Sequence, residues 1–269
     1  TVVPAAAETT LVSTEVAASQ STGGVTIPMG RFLAYRTPET GGRRRGGLPS
    51  AATDVIACVA LRDPTQSRGT SYLSTATNDY PVGCIMTGRE QGQVSIKNVG
   101  AAAIAGGPVY CVIATTGGDA LGQVRGDRDG TADVWTMTPT AANSTAYGLT
   151  VMFAPWDGED AETFVLSIET ADGSAARTEI SGAFEAPLAT TQVARRASLV
   201  SASATGAATV ILTGTQIGRP FTVADAAEAG DWTSITHTTT AAAYTKRVIN
   251  ARFDENVAAD AVGKIFLNL

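Results

Sequence analysis

The chain has 269 residues and a mass of 27.4 kDa, enough for one or two domains, and 44% of its residues are hydrophobic, enough for an apolar core. Only 16% of residues are charged, which excludes a solvated, disordered chain. The net charge of −6 argues against a global attraction to nucleic acid, and the odd count of three cysteines with a single histidine excludes a disulfide framework and a structural zinc site of the usual kind.

Residues 1–24 are rich in Ala, Thr and Ser and read as an extended arm, with a first edge strand as the alternative. The opening TVVPAAAETTLVSTEV lacks the basic and long apolar regions of a secretory signal, and Thr1 suggests removal of an initiator Met. The segment VTIPMGRFLAY (25–35) predicts a strand around a Pro-Met-Gly turn. TPETGGRRRGGLPS comes next, a Gly-rich basic loop carrying Arg43, Arg44 and Arg45. DVIACVAL (54–61) is a continuous apolar run of strand length and predicts a strand buried on both faces. A short strand comes after Tyr80-Pro81, and QVSIKN (93–98) places Val94 and Ile96 on one face and Ser95 and Lys97 on the other.

The uncharged stretch Val99–Gly118 has the length of a membrane span, but Gly106-Gly107-Pro108 interrupts it. It reads as two pieces joined by a turn, the second being the strand PVYCVIA. Residues 119–133 form a polar loop containing RGDRDG, and VWTMT (134–138) is a further strand. AYGLTVMFA and TFVLSIE are strands around the acidic loop WDGEDAE. Residues 171–187 have the composition of a linker or crossover. Strands are expected at 198–204, 209–213, 220–223, 232–237 and 264–269; 241–253 fits either a helix or a strand. The expectation is a mainly β protein, with a β-sandwich or barrel-like domain over 25–170, a linker at 171–185 and a small β-rich C-terminal domain over 186–269.

Few motifs carry chemistry. There is no nucleophile elbow, zinc-protease helix or dinucleotide loop, and the surroundings of Gly263-Lys264 do not match a phosphate loop. His237 reads as a surface or turn histidine, and Asp127, Asp129 and the Asp157-Glu159-Asp160-Glu162 cluster as solvated loops rather than a calcium site. Arg125-Gly126-Asp127 resembles an adhesion tripeptide too short to be informative, and Asn143-Ser144-Thr145 is a glycosylation sequon that matters only in a secretory pathway. Cys58, Cys84 and Cys111 sit in apolar surroundings and read as free buried thiols. No catalytic residue, metal ligand or cofactor is expected. The triple arginine is the most suggestive local feature, three adjacent cations able to dock on an acidic protein surface or on phosphate, with a solvated loop as the equal alternative.

Several segments, in order, are similar to tailed-bacteriophage capsid cement proteins. LPSAATDVIACVAL (48–61) resembles the family's Leu-Pro-x-Ala-x-Thr-Asp lead into an apolar strand. YPVGCIMTGREQGQVSIKNVGAAAIAGGPVYCVIATTGG (80–118) resembles its most recognisable stretch, and LGQVR (121–125) and TVMFA come after it in the family's order. The resemblance covers about residues 25–170 and implies a structural, non-enzymatic protein on the outer surface of an assembled phage head, made in the bacterial cytoplasm. Its implied partners are the major capsid protein and copies of itself, as a trimer or dimer at local symmetry axes, with no direct nucleic acid and no membrane. Residues 1–24 and Arg43, Arg44 and Arg45 are the expected capsid contacts. The competing expectation is a virion-surface β-sandwich that binds a host glycan or receptor, with Trp135, Trp156 and Trp232 as stacking faces, although each Trp fits a packed position in a core or loop base better. A hydrolase with paired carboxylates is the weakest reading, because no pair can be selected.

Overall fold

The computed structural model describes residues 11–16, 27–36, 45–61, 79–80, 85–140, 146–169, 199–205, 209–226 and 232–269. The described residues form strands, turns and irregular segments and no helix, so the mainly β expectation holds. The chain separates into two compact units. One comprises Thr1–Arg128 together with Tyr244–Leu269, and the other is Asp129–Ala243, inserted within it.

The first unit opens with β1 (Leu11–Val16), β2 (Ile27–Pro28), β3 (Phe32–Arg36), β4 (Arg45–Gly47), β5 (Ile56–Ala60), β6 (Asp79–Tyr80) and β7 (Ile85–Arg89). Five of these close into a barrel in the order β1-β4-β3-β5-β7, and β2 pairs with β6. The expected arm is therefore a barrel strand over Leu11–Val16, pairing parallel to β4 and antiparallel to β7. Residues 1–10 and 17–24 lie outside the described residues. The expected basic loop likewise contains a strand, β4, because Gly46 and Gly47 lie opposite Tyr35 and Ala34 in the antiparallel pair with β3.

The continuous apolar run of β5 has a direct cause. Cys58 and Leu33 pack into one core with Ile27 and Leu48, while their neighbours Val59 and Phe32 pack into a second core with Val94, Val109 and Ile265. Strands with both faces buried cannot alternate with polar residues. The chain next forms β8 (Gln91–Lys97), β9 (Pro108–Val112) and β10 (Val124–Arg125). In β8 the expected alternation is observed, with Val94 and Ile96 buried and Ser95 and Lys97 exposed. The uncharged stretch before β9 breaks at a turn where the Gly107 N–H donates to the Ile104 carbonyl at 2.9 Å.

The inserted unit holds β11 (Gly130–Thr131), β12 (Val134–Pro139), β13 (Ala146–Phe153), β14 (Glu162–Glu169), β15 (Val200–Thr205), β16 (Thr209–Gly214), β17 (Phe221–Asp225), β18 (Trp232–Thr239) and β19 (Ala242–Ala243). Sheets of order β15-β16-β12-β18 and β14-β13-β17 share one core of Met137, Leu149, Val151, Val210, Leu212 and Phe221 and their neighbours, which makes this unit a β-sandwich. Its two ends meet where β11 pairs with β19, Gly130 opposite Ala243. Gly130 has φ 152°, and a Cβ there would sit 2.1 Å from the Ala242 carbonyl oxygen, so only glycine fits.

The chain then returns to the first unit as β20 (Thr245–Phe253) and β21 (Val262–Asn268), which complete a five-stranded sheet of order β10-β9-β20-β21-β8. This settles 241–253 as mainly strand. It also moves the expected division. The compact units meet in the chain at 128/129 and 243/244, not near 185, because Val262–Asn268 pairs residue for residue with Gln91–Lys97. The expected linker at 171–185 lies outside the described residues.

Candidate functional site

Of the three arginines expected at a contact surface, Arg43 and Arg44 lie outside the described residues. Arg45 opens β4, its Cα opposite Glu15 of β1 and Arg36 of β3. After β4 the chain makes a tightly built turn. Asp54 accepts hydrogen bonds from the Ser50 N–H at 2.7 Å and the Ala51 N–H at 3.1 Å, and it pairs with both terminal nitrogens of Arg36, at 2.8 and 3.2 Å. Arg36 also donates to the Leu48 carbonyl at 2.5 Å. Lys246, on β20, donates to the carbonyls of Ala52, at 2.7 Å, and Asp54. The Pro-Ser-Ala-Ala-Thr-Asp lead is thus a turn organised by its final aspartate and clamped from the far end of the sequence. Burial raises the Asp54 pKa, but the Arg36 hydrogen bond, the Ser50 N–H, the Arg36 charge and the Ala51 N–H outweigh it and hold the carboxyl below its ordinary value.

Arg125-Gly126-Asp127 is engaged within the fold. Arg125 pairs with Asp119 and, at 2.8 Å, with Asp127, and its side chain is only 15% exposed. Asp127 also accepts from the Ala101 N–H at 2.8 Å. Beside it, the buried Asn98 donates to the carbonyls of Ala101 and Ala258 and accepts from the N–H groups of Gly100 and Gly126, using all four of its hydrogen-bonding positions. An adhesive tripeptide needs its arginine and aspartate offered to solvent; here both hold loops together.

In the inserted unit the corresponding centre is Asp133, which is fully buried. One carboxylate oxygen accepts from His237 Nε2 and the Ala241 N–H, each at 2.7 Å. The other accepts from the Phe221 N–H at 2.9 Å and the Trp135 indole N–H at 3.3 Å. His237 lies on β18 and stacks on Trp135, with centroids 4.5 Å apart and planes 10° from parallel. It is therefore a strand histidine oriented by a buried carboxylate. Trp232 is buried, and its indole N–H donates to the Gly148 carbonyl at 3.0 Å. Trp156 closes the hairpin loop between β13 and β14 through a two-way backbone bridge with Glu159.

Sequence reasoning missed Arg219, which is 1% exposed, lies 4.8 Å over the Phe153 ring and donates to the Asp160 carbonyl at 2.7 Å. It supports the acidic loop from below, and no pattern around it announces that role. Among the described residues, no cluster of three or more His, Cys, Asp or Glu is placed to hold a metal ion. Cys58 and Cys111 are buried, and burial pushes the Cys111 thiol well up; Cys84 lies outside the described residues. No helix among the described residues is long and apolar enough to cross a membrane.

The first unit also carries a cleft of about 460 Å³, lined by Met29–Arg31, Ala60, Leu61, Gln123 and the outer edge of β8. Beyond Lys97 the chain bridges to β10, where the Val99 N–H donates to the Val124 carbonyl at 2.9 Å. No protein-family model matches the chain, and no curated protein matches it.

Proposed function

We propose that this protein is a structural capsid cement protein of a tailed-bacteriophage head. It binds the outer surface of the assembled shell and bridges neighbouring major capsid subunits. Because it binds the lattice and not separated subunits, it lowers the free energy of the assembled form by mass action. Arg43, Arg44 and Arg45 supply cationic contacts to the capsid surface.

The observation that supports this reading is where the resembling segments lie. Residues 48–61, 80–118 and 121–125 belong to one compact unit, whereas the fourth resembling segment, TVMFA (150–154), falls in the inserted unit. Within the first unit, Lys246 ties the Asp54 turn to the closing sheet. Cys58, Val59, Val94, Ile96, Val109 and Cys111 of these segments pack into the cores of that unit. The glycan reading has less support, because Trp232 is buried and His237 covers one face of Trp135.

The test is to mix the purified protein with expanded phage heads that lack it, sediment the heads and count bound copies. Saturable binding at a fixed ratio to the major capsid protein, with raised heat resistance of the heads, is expected. Absence of binding to expanded heads would overturn the proposal. Replacing all three arginines with alanine weakens binding and flattens its salt dependence; unchanged binding at low salt would remove them from the interface.

A further inference from the structure

The sheet edges of the inserted unit are unequal. β14 begins and ends in Glu, and β17 ends in Asp225. Charges of this kind discourage strands of other molecules from adding to an edge. The sheet β15-β16-β12-β18 carries no Asp, Glu, Lys or Arg in any strand. At one edge, β15 anchors Val200 in the core. At the other edge, β18 buries Trp232 alone; Ile235 is half-buried and the remaining six residues are exposed.

The geometry of β18 explains this exposure. Its register with β12 shifts at both ends, between Thr138 and Pro139 and between Val134 and Trp135. The first shift turns Trp232 into the core. Between the shifts, Ser234–His237 runs regularly against Trp135–Thr138. Thr236 and Ser234 lie opposite Thr136 and Thr138 on the outer face, where the Thr238 hydroxyl donates to that of Thr136 at 2.7 Å. On the inner face, the exposed His237 comes after the half-buried Ile235. The strand is uncharged, rich in β-branched residues and open on its outer face, and among the described residues it ends its sheet.

We propose that β18 is a self-pairing edge: two copies of this chain join their β18 strands antiparallel across a two-fold axis, doubling the four-stranded sheet. The occupant is a second copy because an uncharged strand meets its own mate without like-charge repulsion, and Thr–Thr and Thr–Ser pairs across strands are favourable. A partner of either charge finds nothing on this sheet to complement. One short strand pair lies at the low end of interface size, so the association is concentration-dependent. The inference does not rest on the cement reading, and its test uses no phage heads.

The experiment is light scattering on the full chain from about 1 to about 100 µM. The expected result is a shift from monomer to dimer mass across this range. The double substitution Ser234→Lys with Thr236→Lys gives monomer throughout, with an unchanged melting temperature. Mixing it with the double variant Ser234→Glu with Thr236→Glu restores a dimer, which loss of folding could not produce. Oxidative trapping of Thr236→Cys gives a dimer band that Ser203→Cys on β15 does not. A wild-type chain that stays monomeric at the highest concentration overturns the proposal. So does a dimer that the lysines leave intact, or one trapped through Ser203→Cys, which would mean pairing at the β15 edge.

Discussion

Strands β8 and β18 are of nearly equal length and, among the described residues, each ends its sheet; β8 pairs residue for residue with its neighbour, and β18 pairs through two register shifts. In β8 every second residue is buried, and Lys97 at its end pairs with Asp260 at 3.1 Å. In β18 the core takes Trp232 and part of Ile235 and leaves the rest exposed. An edge with one committed face contributes to stability. An edge whose inner face is only partly committed contributes less to its own fold and leaves its outer hydroxyls and its edge backbone for another chain. The two units also differ in how they hold their loops: the first relies on Asp54, Asn98 and Arg125, and the second gathers its bonds on Asp133.

Truncation should separate the two edges most clearly. Ile96→Ala in β8 should cost about 2–4 kcal/mol, whereas Ile235→Ala in β18 should cost about 1 kcal/mol or less, read by urea denaturation. Equal losses would mean that β18 is a core strand. Next in size is Asp133→Asn, which turns an amide donor toward N–H groups now held by a carboxylate oxygen. It should cost about 2–3 kcal/mol and change the Trp135 fluorescence, because His237 loses its anchor.

Asp54→Asn should cost about 1–2 kcal/mol at neutral pH. Its folded pKa lies below the ordinary 3.8, so the carboxylate's contribution is complete above that value and is lost as pH falls through the folded pKa. The stability gap between wild type and Asp54→Asn should therefore be flat at neutral pH and close in acid; a gap independent of pH would show that the charge is not what holds the turn. The smallest effect is Lys246→Met, at about 1 kcal/mol, which should raise hydrogen exchange at Ser50 and Ala51 before it lowers global stability.

The acidic hairpin between β13 and β14, the alternation of β8 and the doubly buried β5 were all legible, since each is a local pattern imposed by which faces are covered. The polar centres were not. Asn98, Asp133 and Arg219 are single residues without periodicity, and their partners lie up to 160 positions away. His237 is exposed, as its sequence setting implies, but the carboxylate that orients it is 104 positions distant and leaves no local signal. Of the expected contact arginines, only Arg45 has a described position, and it proved to belong to a strand.

The residue order by itself determined the mainly β class, most strand positions and the turns at Gly106–Gly107 and in the acidic hairpin, because propensity and alternation act over a few residues. Which strands meet was decided only by the tertiary structure. β20 and β21 leave the sandwich and close a sheet begun more than 100 residues earlier, and Gly130 makes room for the crossing. Pairing over such separations depends on which buried faces complete each other, and no local stretch of sequence records that choice.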